Sequence, residues 1–287
     1  MTRAPAASTV LLTAVAMGAF AANSLLCRMA LGARLIDAAS FTAIRIVCGA
    51  VFLSLLVLVR HGRAMRMRLD AVAAATLFGY AIAFSLAYLE LSAGAGALIL
   101  FGAVQVTMIV AGLVRGERLS ALGWVGLLGA CLGLFLLLAP GLSAPPIRSA
   151  LLMAGAGVAW GIYSLRGRGG VDPLQSTASN FVWAVPLTLL SLPLLRQPWP
   201  ATTRGIMLAA ASGAIASGLG YVIWYAALRR LQAIPAATVQ LSVPVIAALG
   251  GVLLLGERLT PRLVVCAVIV LGGIATVLRS RWAALQR

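Results

Sequence analysis

The chain has 287 residues, 62% of them apolar and 10% charged, with a mean hydropathy of +1.05 and a formal net charge of +16. Polar side chains this sparse cannot cover a water-soluble globule, so the composition excludes a soluble fold and places the chain in lipid. The charge does not point to nucleic acid, because the arginines are scattered at the ends of apolar stretches rather than gathered along one polar face.

A bilayer core of ~30 Å takes ~20 apolar residues per helix. Charge clusters and Pro/Gly runs divide the sequence into ten such stretches: 9–31, 37–59, 71–89, 93–114, 120–139, 149–165, 174–195, 205–228, 233–255 and 263–279. The expected fold is an all-α integral membrane protein of ten transmembrane helices. The longest connections are near Arg60–Asp70 and Ala139–Arg148, too short for a separate domain, so function must lie within the membrane. The first stretch follows Arg3 and contains Ala19-Phe20-Ala21, which suits a cleaved signal peptide; it reads instead as helix 1, because it has a counterpart in mid-chain.

Taken in order, the helices carry a sparse set of polar and aromatic residues. Helix 1 places Phe20 and Asn23 on one face at i, i+3. Helix 2 holds Arg45, roughly 8 residues or ~12 Å inside the span. A charge there is a functional hypothesis, with two readings: it holds a substrate carboxylate, or it snorkels toward Asp37 two turns away. Helix 3 carries the stripe Tyr80, Phe84, Tyr88, and helix 4 pairs Phe101 with Gln105. Helix 5 contains Gly129 and Gly133, and helix 6 contains Gly157 and Gly161, both GxxxG patterns that let helix backbones approach. Between the latter two lies Trp160, followed by Tyr163. Helix 7 contains Asn180, Pro186 and Pro193; helix 8 clusters Tyr221, Trp224 and Tyr225; helix 9 has Pro235, Gln240 and Pro244, whose prolines are candidate kinks and hinges.

Aromatic faces suit ring-bearing or ammonium-bearing solutes, at about 0.5–2 kcal/mol per contact. The same stripes also serve packing. Buried amides at Asn23, Gln105, Asn180 and Gln240 need partners, which are either a solute or a neighbouring helix. Trp124, Trp199 and Trp282 lie near helix ends and read as interfacial anchors, while Cys27, Cys48, Cys131 and Cys266 show no metal or redox spacing and read as small hydrophobes.

Gly116-Glu117-Arg118-Leu119-Ser120 recurs as Gly256-Glu257-Arg258-Leu259-Thr260, an offset of 140 residues. The same offset pairs Phe20 with Trp160, Asn23 with Tyr163, Ser24 with Ser164, Arg28 with Arg168, Phe84 with Trp224 and Gly133 with Gly273. Five helices separate equivalent points, and an odd number reverses orientation, so residues 1–140 and 141–287 are expected to be two inverted five-helix repeats around a midplane site. The paired positions raise Tyr80, Trp160, Tyr163, Tyr221 and Trp224 above the other aromatics. Arginines favour the side of the N-terminus, fourteen to six, with Arg28 and Arg45 inside spans, which puts both termini in the cytoplasm. The Arg60–Arg68 cluster there anchors topology and suits anionic lipid head groups.

With its two Gly-Glu-Arg-Leu turns and the Pro235 to Pro244 stretch, the sequence resembles the drug/metabolite transporter superfamily, in its ten-helix branch of two EamA-type repeats. Within that branch the wording is most similar to bacterial exporters of aromatic amino acids and paraquat. The resemblance implies export of amino acids, aromatic and other neutral ones, related metabolites or cationic drugs. It implies alternating access from a central cavity lined mainly by helices 1, 3, 4, 6, 8 and 9, in a bacterial-type inner membrane. The candidate binding set is Asn23, Arg45, Tyr80, Phe84, Phe101, Gln105, Trp160, Tyr163, Tyr221, Trp224 and Gln240.

Absences narrow the mechanism. The sequence has no lysine, hence no P-loop and no Schiff base. Its acids, Asp37, Asp70, Glu90, Glu117, Asp172 and Glu257, fall at helix ends, so a membrane-centre carboxylate for proton relay is not expected, unlike in the small four-helix members of the superfamily. Export driven by the solute gradient fits better. The single histidine, His61, has no nucleophile motif around it, which speaks against an enzyme; a channel or an accessory protein is the alternative. No cofactor, metal or nucleic acid is expected. The partners are a small-molecule substrate and membrane lipid, with a single chain as the unit.

Overall fold

Each helix end leaves backbone groups without intrahelical partners, and short polar side chains meet them in a recurring way. Asp37, Asp70, Ser92 and Ser120 N-cap the helices that follow, each accepting from the backbone N–H three residues on. Asp172, Thr202 and Thr260 do the same. The computed structural model describes residues 7–62, 67–116, 118–139, 141, 144–167, 172–195, 197–199, 201–228, 231 and 233–285. Among them all regular structure is helical. Gly62, Gly116 and Gly256 close helices at φ of 62°, 87° and 64°, the left-handed region that glycine enters without a Cβ penalty. The repeated Gly-Glu-Arg-Leu-Ser/Thr wording thus has a local cause: the glycine ends one helix and the hydroxyl residue starts the next. Glu117, like Arg168, lies outside the described residues.

The helices are α1 (Ala7–Gly32), α2 (Ala38–His61), α3 (Ala71–Ala87), α4 (Ala93–Val114), α5 (Ala121–Leu138), α6 (Ile147–Arg166) and α7 (Pro173–Leu195). Next comes α8, composed of Thr203–Ala211, a π-helical stretch Ser212–Leu219, and Gly220–Leu228. Helix α9 has two segments, Ala233–Gln240 and Ser242–Leu255, and α10 spans Pro261–Leu285. The break at Leu241 follows from Pro244, which has no N–H to give the Gln240 carbonyl and whose ring crowds it.

Eight of the ten, α1, α2, α4, α5, α7, α8, α9 and α10, contain a stretch long and apolar enough to cross a membrane. The other two qualify the expectation of ten alike: α3 has only 17 residues, and α6 carries Arg148 and Arg166 near its ends. These two pack along each other. A helix covered by its neighbours needs less apolar surface of its own.

Helix α5 packs along α10 and α2 along α7; α3 and α4 lie on α6, while α8 and α9 lie on α1. Close approach is set by glycines. A Cβ on Gly126 would stand 2.5 Å from the Gly273 carbonyl oxygen, and one on Gly133 2.8 Å from Val270. Gly129 instead faces open space, so the α5 contact runs through Gly126 and Gly133 and not through the expected GxxxG pair. In α6 the pattern acts as written: Gly157 abuts Ala103 and Gly161 abuts Thr107 of α4. Large apolar side chains such as Phe135, Leu190 and Leu253 are mostly exposed, as a lipid-facing shell requires.

Candidate functional site

Side chains from five helices meet at the centre. A narrow cavity of about 20 Å³ is lined by Phe20, Asn23 and Ser24 of α1, Tyr80 and Phe84 of α3, Leu100 and Phe101 of α4, Trp160 of α6, and Ala216 and Tyr221 of α8. That volume admits a water and no organic solute. The aromatic rings that close it touch one another: Tyr80–Trp160 at 4.9 Å between centroids, Trp160–Tyr221 at 4.8 Å, Phe20–Trp160 at 6.4 Å and Phe20–Trp224 at 5.9 Å. Rings therefore fill the space between these helices.

Polar groups form a chain behind the rings. The Tyr80 hydroxyl accepts from Asn23 Nδ2 at 3.2 Å and from Arg45 Nη2 at 3.0 Å. Arg45 Nε donates to Ser217 Oγ at 3.2 Å, and Ser212 Oγ donates to Asn23 Oδ1 at 2.6 Å. The two serines are five residues apart. In an α-helix they would diverge by about 140°, whereas the i to i+5 bonding of a π-helix stacks them on one side. The π stretch also brings its backbone close to α2, since a Cβ on Gly213 would strike the Arg45 carbonyl oxygen.

Arg45 is 1% exposed, with its guanidinium carbon 5.1 Å from the Tyr80 ring centroid and 5.2 Å from that of Phe84. It does not snorkel: its contacts run inward to Tyr80 and Ser217, while Asp37 caps α2 by accepting from Ser40 N–H.

Of the other expected residues, Tyr163 stacks on Trp160 at 5.3 Å, one layer from the cavity. Trp224 reaches it through Phe20. Gln105 Nε2 donates to the Ala237 carbonyl at 3.3 Å, which ties α4 to α9, and Gln240 is buried on α9. Neither amide lines the cavity, and α9 contributes nothing to its described wall. Sequence reasoning missed Ser212, Ser217 and Ala216, whose alignment depends on the π-helix. Ser24 carried a usable signal, its repeat partner Ser164.

Ion pairs tie the two ends of the bundle. At the end away from the N-terminus, Arg28 Nε meets Glu257 Oε1 at 3.0 Å, and Arg28 Nη1 donates to the carbonyls of Tyr88 and Leu89 at 3.2 Å each. Glu257 Oε2 accepts from Ala93 N–H at 2.8 Å, and Ser149 donates to Glu90. At the other end, Arg166 pairs with Asp70 at 3.0 Å and His61 lies 3.1 Å from Asp172. Burial tends to raise the Asp70 carboxyl, but the Ala73 N–H and the Arg166 guanidinium outweigh it and hold it below its ordinary value. The described acids all sit at helix ends in capping or pairing roles. Trp199 lies under the Arg34 guanidinium at 5.1 Å, and Trp124 is exposed.

Residues 147–279 match the EamA-like transporter family. The chain is 54% identical over 277 residues to an uncharacterised protein of Pseudomonas aeruginosa strain PAO1, covering 96% of each chain. It also resembles a protein of known crystal structure at a TM-score of 0.66 and 18% identity, across 97% of this chain and 98% of that one, a likeness of fold alone. The chain belongs to the EamA-like transporter family: a multi-pass membrane protein whose family suggests transport of small molecules.

Proposed function

We propose that this protein exports amino acids, aromatic and other neutral ones, and related small metabolites by alternating access through the central cavity. One observation carries the reading: aromatic and polar side chains from five helices converge on a closed internal space, in a bundle that must separate to admit a solute. Two inverted repeats, residues 1–140 and 141–287, provide the means. Helix pairing supports them, because replacing each helix by the one five places on leaves the main contacts unchanged: α5 with α10, α2 with α7, and α6 on α3 and α4 as α1 on α8 and α9. Both termini lie in the cytoplasm of a bacterial-type inner membrane, as the arginine bias argues. The binding set is Asn23, Tyr80, Phe84, Phe101, Trp160 and Tyr221 at the cavity, with Tyr163, Trp224 and Arg45 one layer out, Gln105 tying α4 to α9 and Gln240 buried on α9. Trp160→Ala and Tyr80→Ala are expected to impair export from whole cells while surface expression persists. Unchanged export in both would remove the aromatic cavity from the mechanism.

A further inference from the structure

Among the described residues, the least compensated buried charge is Arg45. A guanidinium has five N–H donors and a fixed charge. Here two hydroxyls take Nε and Nη2, the Tyr80 and Phe84 rings lie against one side, and Nη1 is buried without a hydrogen-bond partner among the described residues. None of the described carboxylates pairs with it: Glu257 is held by Arg28, Asp70 by Arg166, Asp172 by His61, Glu90 by Ser149, and Asp37 caps its own helix. Burying a charge without a counter-ion is costly unless something else compensates it. Ser24 and Tyr221 place their hydroxyls at the cavity wall. Tyr80 and Phe84 both line the cavity and lie against the guanidinium.

We infer that Arg45 is the carboxylate anchor of the site, and that the transported class is a monocarboxylate with an apolar or aromatic body. The inference rests on the proposed carrier and deepens it. When the helices part, Nη1 receives the carboxylate, while Phe20, Trp160 and Tyr221 receive the body. The described residues place no acid at the cavity to neutralise a cation, so a substrate's ammonium is met only by ring faces and the Asn23 amide. The same guanidinium disfavours cationic drugs such as paraquat, a part of the family-based expectation.

The test uses full-length wild-type protein in liposomes and four phenylalanine-related probes as competitors of labelled phenylalanine uptake. Phenylalanine and phenylpropionate carry the carboxylate, whereas phenethylamine and phenylalaninamide lack it. The first two are expected to compete, and the latter two and paraquat to be weaker on the order of 10- to 100-fold, the worth of one charge-assisted bond. Arg45→Gln should abolish that difference and Arg45→Lys should restore part of it. Equal competition by phenethylamine and phenylpropionate in the wild type would overturn the anchor and leave the carrier standing. Absence of saturable uptake of any probe would overturn both. The wild-type panel decides even where a variant fails to fold.

Discussion

Tyr80 bears two hydrogen bonds on one oxygen, and its removal should be read separately from the loss of its ring. Tyr80→Phe keeps the ring contact with Trp160 but strands Arg45 Nη2 and Asn23 Nδ2, at about 1–3 kcal/mol for each buried donor left unpaired. A lowered unfolding temperature in detergent is expected, and an unchanged one would mean that neither bond stabilises the closed state. Gly213→Ala should destabilise by about 1–3 kcal/mol through overpacking against the Arg45 backbone; a neutral result would show that α8 shifts freely from α2. These residues differ in how well the sequence displayed them. Tyr80, Phe84 and Tyr88 repeat at helical spacing, and Phe20 and Trp160 stand at the recurring 140-residue offset, so the ring cluster was legible. The partner of Arg45 was not. Ser217 is 172 residues away and reaches it from a π-helix, whose register cannot be read from residue spacing that assumes an α-helix.

Helix ends and breaks are where this bundle can change. The Arg28–Glu257 pair joins α1 to the α9–α10 turn and, through the Tyr88 and Leu89 carbonyls and the Ala93 N–H, to the α3–α4 turn. If the bundle opens on that side as proposed, the opening breaks this pair. Glu257→Gln should therefore raise labelling of buried Cys27, next to Arg28, by a membrane-impermeant maleimide, with the other three cysteines replaced by serine. Unchanged labelling would place the barrier elsewhere. On the opposite side, the Asp70 carboxyl is held below its ordinary value, so the Asp70–Arg166 tie contributes fully above about pH 3.9 and is lost only as pH falls through the lower folded value. Arg166→Gln should consequently cost the same stability at pH 5 as at pH 8, checked by thermal unfolding at both. The caps that fix these ends were readable in the sequence, because Ser, Thr and Asp precede helices for a local reason. The position of Gly129 was not, since rotation of α5 against α10 is settled by the whole interface.

Across the molecule, the ten apolar stretches predicted from charge and Pro/Gly breaks agree with the ten helices to within a few residues at most ends, with α10 extending further, to Leu285. Hydropathy reads so directly because a lipid-embedded backbone has to satisfy its own hydrogen bonds, and a helix does so within each span. What composition could not display is the closed cavity, which arises from side chains far apart in sequence. If the two halves alternate around that cavity, purified protein in liposomes preloaded with unlabelled phenylalanine should take up labelled phenylalanine by saturable counterflow, faster than liposomes without preload. Uptake that is linear in concentration and indifferent to preloading would contradict a carrier and indicate a channel.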